Sequence, residues 1–152
     1  MSHTFVIADQ ARSFLLAYET LDDSMHQRLQ HGDMHFRVPI FERIQIVTAA
    51  MTCIAFSAEI AIKALIVQAA GGDLSACPRG HSLDKLFSKV PVSLQKEIAN
   101  DLSVSLDDLI SSLEKNANAF EAWRYSYESG AWGDEVFLRN FINASLEKIS
   151  ET

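Results

Sequence analysis

A chain of 152 residues with 48% hydrophobic content is long enough for one domain with a real core. Its formal net charge of −7 excludes a general nucleic-acid coat, which draws on clustered Lys and Arg, but leaves room for a local basic pocket. Two cysteines, without a recognisable signal peptide or targeting motif, lead us to expect a reducing cytoplasm, and nothing in the sequence pairs Cys53 with Cys77.

From about Thr4 to His31 the spacing predicts a first long helix. Ile7, Ala11, Phe14, Leu15, Tyr18, Leu21, Met25 and Leu29 recur at three- and four-residue steps, while Asp9, Arg12, Glu19, Asp22 and Asp23 take the other face. Gly32 is its expected stop, and Met34 to Val38 a linker. Pro39 stands at the first turn of a second helix, where its missing N–H does no harm. That helix runs into Val47 to Ala70, a stretch whose only charges are Glu59 and Lys63, and Gly71-Gly72 ends it.

A run so apolar is either the centre of a bundle or a membrane span. Two interior charges cost about 2.5–3.5 kcal/mol each on insertion scales. The bundle is therefore favoured and no membrane is expected. At 1.5 Å per residue the two helices come to about 42 and about 48 Å, antiparallel because the connection is short.

Gly71 to Gly80 reads as a loop. His81-Ser82-Leu83 opens a short helix with Leu83, Leu86, Phe87 and Val90 inward, and Pro91 ends it. Ser93 is the expected cap of another, through about Asp101. Ser105 caps a longer helix running to about Tyr127, with Asp107 and Asp108 in the first turn where the helix dipole favours acids. After a break from Ser129 to Gly133, Asp134 caps a last helix with Phe137, Leu138, Phe141, Ile142, Leu146 and Ile149 in register. The expected class is all-α: an up-and-down helical bundle, one domain over residues 1–152, with a long antiparallel pair plus three or four shorter helices.

Three constellations stand out for chemistry. Glu59 and Lys63, at i and i+4 in an apolar helix, form either a salt bridge at the core's edge or the polar floor of a site. The segment from Phe120 to Glu128 puts Phe120, Trp123, Arg124 and Tyr127 on one side of a helix, with Glu128 one turn from Arg124. There Arg124 is either an anion or base-stacking element, or a guanidinium pinned by Glu128 or Glu59 beside core aromatics. Arg79-Gly80-His81-Ser82 places a histidine, which changes charge near neutral pH, beside a helix start. Cys77 and His81 alone do not make a zinc site. There is no P-loop, no G-x-G-x-x-G, no H-E-x-x-H and no nucleophile elbow, so neither a metal nor a cofactor is expected.

Ala58-Glu59-Ile-Ala-Ile-Lys63-Ala-Leu65 with Gly71-Gly72, then Gly80-His81-Ser-Leu83-Asp-Lys-Leu86-Phe87, then Phe120-x-x-Trp123-Arg124-Tyr125-x-Tyr127-Glu128, resemble as an ordered set the HEPN superfamily of small helical bundles. The resemblance covers about Ile40 to Glu128. It implies a homodimer, and many members are metal-independent ribonucleases of toxin–antitoxin, defence or RNA-processing systems. Their motif is an Arg followed, after four to six residues, by a His. Arg124 falls near the family's Arg, but no His follows it; the one literal match, Arg28 with His35, straddles the end of the first helix.

Two readings follow. The first is a dimeric module binding a nucleotide, RNA or a cognate protein partner through Glu59, Lys63, His81, Arg124, Tyr127 and Glu128. The second is a divergent metal-independent ribonuclease using Arg124 and His81, since such cleavage needs a group that exchanges protons near neutral pH.

Overall fold

The computed structural model describes residues 3–30, 40–126 and 132–149. Two long helices, α1 (His3–Gln30) and α2 (Ile40–Ala69), lie side by side in opposite directions. Ser57 Oγ donates to the Ala11 carbonyl at 2.8 Å, and Phe14 meets the Phe56 ring edge-on with centroids 4.7 Å apart. Further along, Tyr18 and Met25 line one small cavity with Ala50 and Ile46. Residue numbers fall on one helix as they rise on the other, as an antiparallel pair requires.

The sequence of α2 explains its central place. Ile54, Ala55, Ala58, Ala61, Ile62, Ala64, Leu65 and Val67 are all fully buried, and they point in every direction around the axis. The alanines let neighbouring helices come close while the larger residues fill the gaps between them. Residues Ile44–Ala69 are long and apolar enough to cross a membrane by length and composition, yet 78% of the apolar window is packed inside the protein. Its partners are α1 on one side and α3, α6 and α7 on the others.

A 3₁₀ turn (Leu74–Ala76) follows, then α3 (Leu83–Phe87), α4 (Val92–Asp101), α5 (Leu106–Lys115), α6 (Ala119–Arg124) and α7 (Glu135–Glu147). No strand occurs among the described residues, and the protein is an all-α helical bundle. Leu83, Leu86, Phe87, Ile98, Leu109, Leu113, Leu138, Phe141 and Ile142 close the core over α2. Gly71, at φ +69°, takes the left-handed conformation that ends α2, and Gly72 N–H returns to the Val67 carbonyl at 2.9 Å.

Several caps act as expected. Ser105 Oγ accepts from Asp108 N–H, and Asp134 Oδ1 from Phe137 N–H, each at 3.0 Å. Ser93 does not cap α4: Pro91 occupies the N-cap and Val92 begins the helix. The buried Gln95 side chain explains this start. It donates to the Phe87 and Val90 carbonyls at 3.1 and 2.8 Å, so the end of α3 and the beginning of α4 are tied through one amide.

The helix expected from Ser105 to about Tyr127 is two helices. Asn116 is 2% exposed and sits at the break. Its Nδ2 donates to the Ser112 carbonyl and its Oδ1 accepts from Asp134 N–H, both at 2.9 Å. The amide thus joins the end of α5 to the start of α7, and the chain must turn there. The turn frees the Ala117 carbonyl, which accepts from Leu83 N–H at 2.9 Å. Gly32, Pro39, His35 and the segment 127–131 lie outside the described residues.

Candidate functional site

Glu59 is 1% exposed, in the part of α2 from Val47 onward where Lys63 is the only other charged residue. Both of its carboxylate oxygens are used. Oε1 accepts from Lys63 Nζ at 2.6 Å, and Oε2 meets His81 Nδ1 at 2.9 Å. A carboxylate only accepts, so Nδ1 carries the proton and Nε2 is left with a lone pair in the neutral ring. The Lys63 side chain is 17% exposed and that of His81 43%. A buried carboxylate therefore anchors a histidine whose other edge opens outward.

The local chain makes this contact possible. Gly80 has φ +105°, a conformation that strains any residue with a Cβ, and it turns the loop back onto α2 just before His81. The Leu83 N–H to Ala117 carbonyl bond then fixes the start of α3 against the α5–α6 break. This brings His81 beside Phe120, with ring centroids 5.6 Å apart. Phe120 in turn stacks on Phe56 of α2 at 4.6 Å.

Outside His81 is a cleft of about 510 Å³, lined by residues 79–82 together with Lys85, Leu86, Lys89, Asn118 and Glu121. Arg79, Lys85 and Lys89 bring three positive charges to it, and none of the three has an ion-pair partner among the described residues. Among the described residues, Glu121 is the one carboxylate in the lining. No cluster of three His, Cys, Asp or Glu side chains that could hold a metal occurs among the described residues, and Cys53 and Cys77 are both free thiols.

No family model, no curated protein and no solved structure matches this chain.

The residues singled out in the sequence divide into two groups. Glu59, Lys63 and His81 come together in one network, although 22 positions separate the glutamate from the histidine. Arg124 does not join it. Of the two carboxylates offered as partners for Arg124, Glu59 is not one it reaches: Glu59 holds Lys63 and His81. Arg124 instead lies over aromatic faces, its Cζ 5.9 Å from the Phe120 centroid and 5.2 Å from that of Tyr125. It shares Phe120 with His81 but is not part of the cleft lining. Tyr127 and Glu128 lie outside the described residues.

Sequence reasoning missed Lys85, Lys89, Asn118 and Glu121. A signal for the lysines was present: they sit at i and i+4, downstream of Arg79-Gly80-His81, with no acid between them. Like charges at that spacing repel unless something neutralises both.

Proposed function

We propose that this protein is a binding module for a phosphate-bearing ligand, a nucleotide or RNA, and that the cleft beside His81 is where the phosphate sits. One observation carries the reading. On a chain of net charge −7, three cations without acidic partners among the described residues line a single cleft with an anchored histidine. Arg and Lys side chains held together in this way give charge-assisted hydrogen bonds to phosphate oxygens. The module corresponds to the dimeric, HEPN-like binding reading of the sequence, with the ligand held by Arg79, Lys85 and Lys89 rather than by Arg124.

A second reading, a metal-independent ribonuclease, is favoured by the Glu59–His81 contact. A carboxylate on Nδ1 fixes the tautomer and leaves Nε2 to exchange protons with a substrate hydroxyl. In this version His81 is the acid–base group and the cleft cations hold the phosphate.

Both readings are tested with one set of proteins. Fluorescent RNA and nucleotide are titrated into the wild type and into an Arg79→Ala, Lys85→Ala, Lys89→Ala variant, and the same RNA is followed for cleavage. Loss of binding in the triple variant supports the module, and unchanged binding rejects it. Cleavage that disappears in His81→Ala selects the ribonuclease, whereas cleavage that survives this change removes His81 from any catalytic role.

A further inference from the structure

The charges around the cleft are more than a nucleic-acid backbone phosphate would use. A phosphodiester within a chain carries one negative charge. A phosphomonoester carries about 1.5 to 2 at neutral pH and offers three acceptor oxygens. Arg79, Lys85 and Lys89 face one lining acid, Glu121, so the positive excess fits the monoester better. A volume of about 510 Å³ is also the size that encloses one small molecule rather than a length of chain.

His81 adds a condition to that grip. Its Nδ1 is committed to Glu59, so the ring reaches a ligand through Nε2 alone. In the neutral ring Nε2 is a lone pair and repels a phosphate oxygen. With a second proton it becomes a charge-assisted donor aimed at that oxygen, and Glu59 stands behind the ring as its counter-charge. Among the described residues the ionisable groups around the ring are Glu59 and Lys63 from α2, Arg79 from the loop, Asp84 (held by the lining Ser82), Lys85 and Lys89 from α3 and the turn after it, and Glu121 and Arg124 from α6.

We propose that the cleft selects a terminal phosphomonoester of nucleotide size, and that His81 is a proton-gated ligand for it, gripping the phosphate through Nε2–H only when the ring is charged. This rests on the phosphate-binding reading above and narrows it to one ligand class.

The test is calorimetric titration of the full-length protein with AMP, with the diester adenylyl-adenosine, and with inorganic sulfate, whose charge does not change over the range used. AMP binds at least about tenfold more tightly than the diester, the weight of one charged hydrogen bond. Sulfate binding to the wild type weakens by about tenfold between about pH 5.5 and about pH 8. His81→Gln, which cannot gain a proton, removes most of that dependence. Equal or tighter binding of the diester overturns the monoester preference alone. A pH profile in His81→Gln like that of the wild type overturns the gating alone. No binding of AMP, diester or sulfate overturns the phosphate-binding reading and this proposal with it. A helical circular dichroism spectrum like that of the wild type is required of His81→Gln before its profile is compared.

Discussion

Glu59 and His81 are joined at 2.9 Å, Oε2 to Nδ1, with the carboxylate buried and the imidazole half open to solvent. The same carboxylate holds Lys63 at 2.6 Å. One buried charge therefore organises a cation on its own helix and a histidine from a distant loop, and the cleft lies on the outward side of that histidine.

Removing Lys63 leaves the buried Glu59 carboxylate with one of its two partners gone and only His81 to hold it. Lys63→Met is expected to destabilise the fold by about 3–5 kcal/mol. The double change Glu59→Met with Lys63→Met recovers most of that loss, because hydrophobic replacements of similar volume fill the space without a buried charge. Urea unfolding of the single and double variants measures both terms. Additive losses would mean that the two side chains do not depend on each other.

Asn116 is a second buried polar anchor, and its role is in the fold rather than the site. Asn116→Leu leaves Asp134 N–H without its acceptor and releases the start of α7. The expected cost is about 1–3 kcal/mol, read as a lower denaturation midpoint at an unchanged slope. A midpoint equal to that of the wild type would show that water replaces the amide without penalty.

Tyr18 gives the protein an alkaline limit. The side chain is 3% exposed, and burial, followed by the nearby Glu135 carboxylate, pushes its phenol from an ordinary 10.0 to about 12. A group whose pKa is raised by folding stabilises the protein below its unfolded value and ceases to do so as pH rises through the folded one. The contribution of Tyr18 is therefore present below about pH 10 and lost between about pH 10 and about pH 12. Tyr18→Phe has no such proton to lose, so its stability should fall less steeply across that window. Parallel slopes for the two proteins would remove Tyr18 as the cause.

The cysteines differ in a way that labelling can read. Burial raises the Cys53 thiol, which reduces its thiolate fraction near neutral pH. Cys77 lies in the loop before Gly80 rather than within the packed helix α2. Iodoacetamide at neutral pH should modify Cys77 first, as mapped by peptide mass. Faster modification of Cys53 would show that α2 opens locally at that point.

The apolar stripes make the bundle legible in the sequence alone. Ile7 to Leu21 in α1 and Leu138 to Leu146 in α7 repeat at helical spacing, and packing follows spacing closely there. The Asn116 break was not legible, because an asparagine amid helix-forming residues signals nothing until its partners, Ser112 and Asp134, are in place. Glu59 and Lys63 stood out as charges in an apolar run, and His81 as a histidine after a loop glycine. Their meeting depends on Gly80 and on the Leu83 to Ala117 bond, which no local pattern encodes. Arg124 was attractive for its aromatic neighbours, and it found them in Phe120 and Tyr125 rather than in a carboxylate of α2.

Long-range proton–nitrogen NMR of the histidine rings tests the anchored imidazole and its cleft in one experiment. Neutral His81 is expected to carry its proton on Nδ1, and inorganic phosphate to move its Nε2 resonance toward the protonated position while the other histidines stay where they are. A neutral His81 protonated on Nε2, or an Nε2 signal indifferent to phosphate, would contradict it.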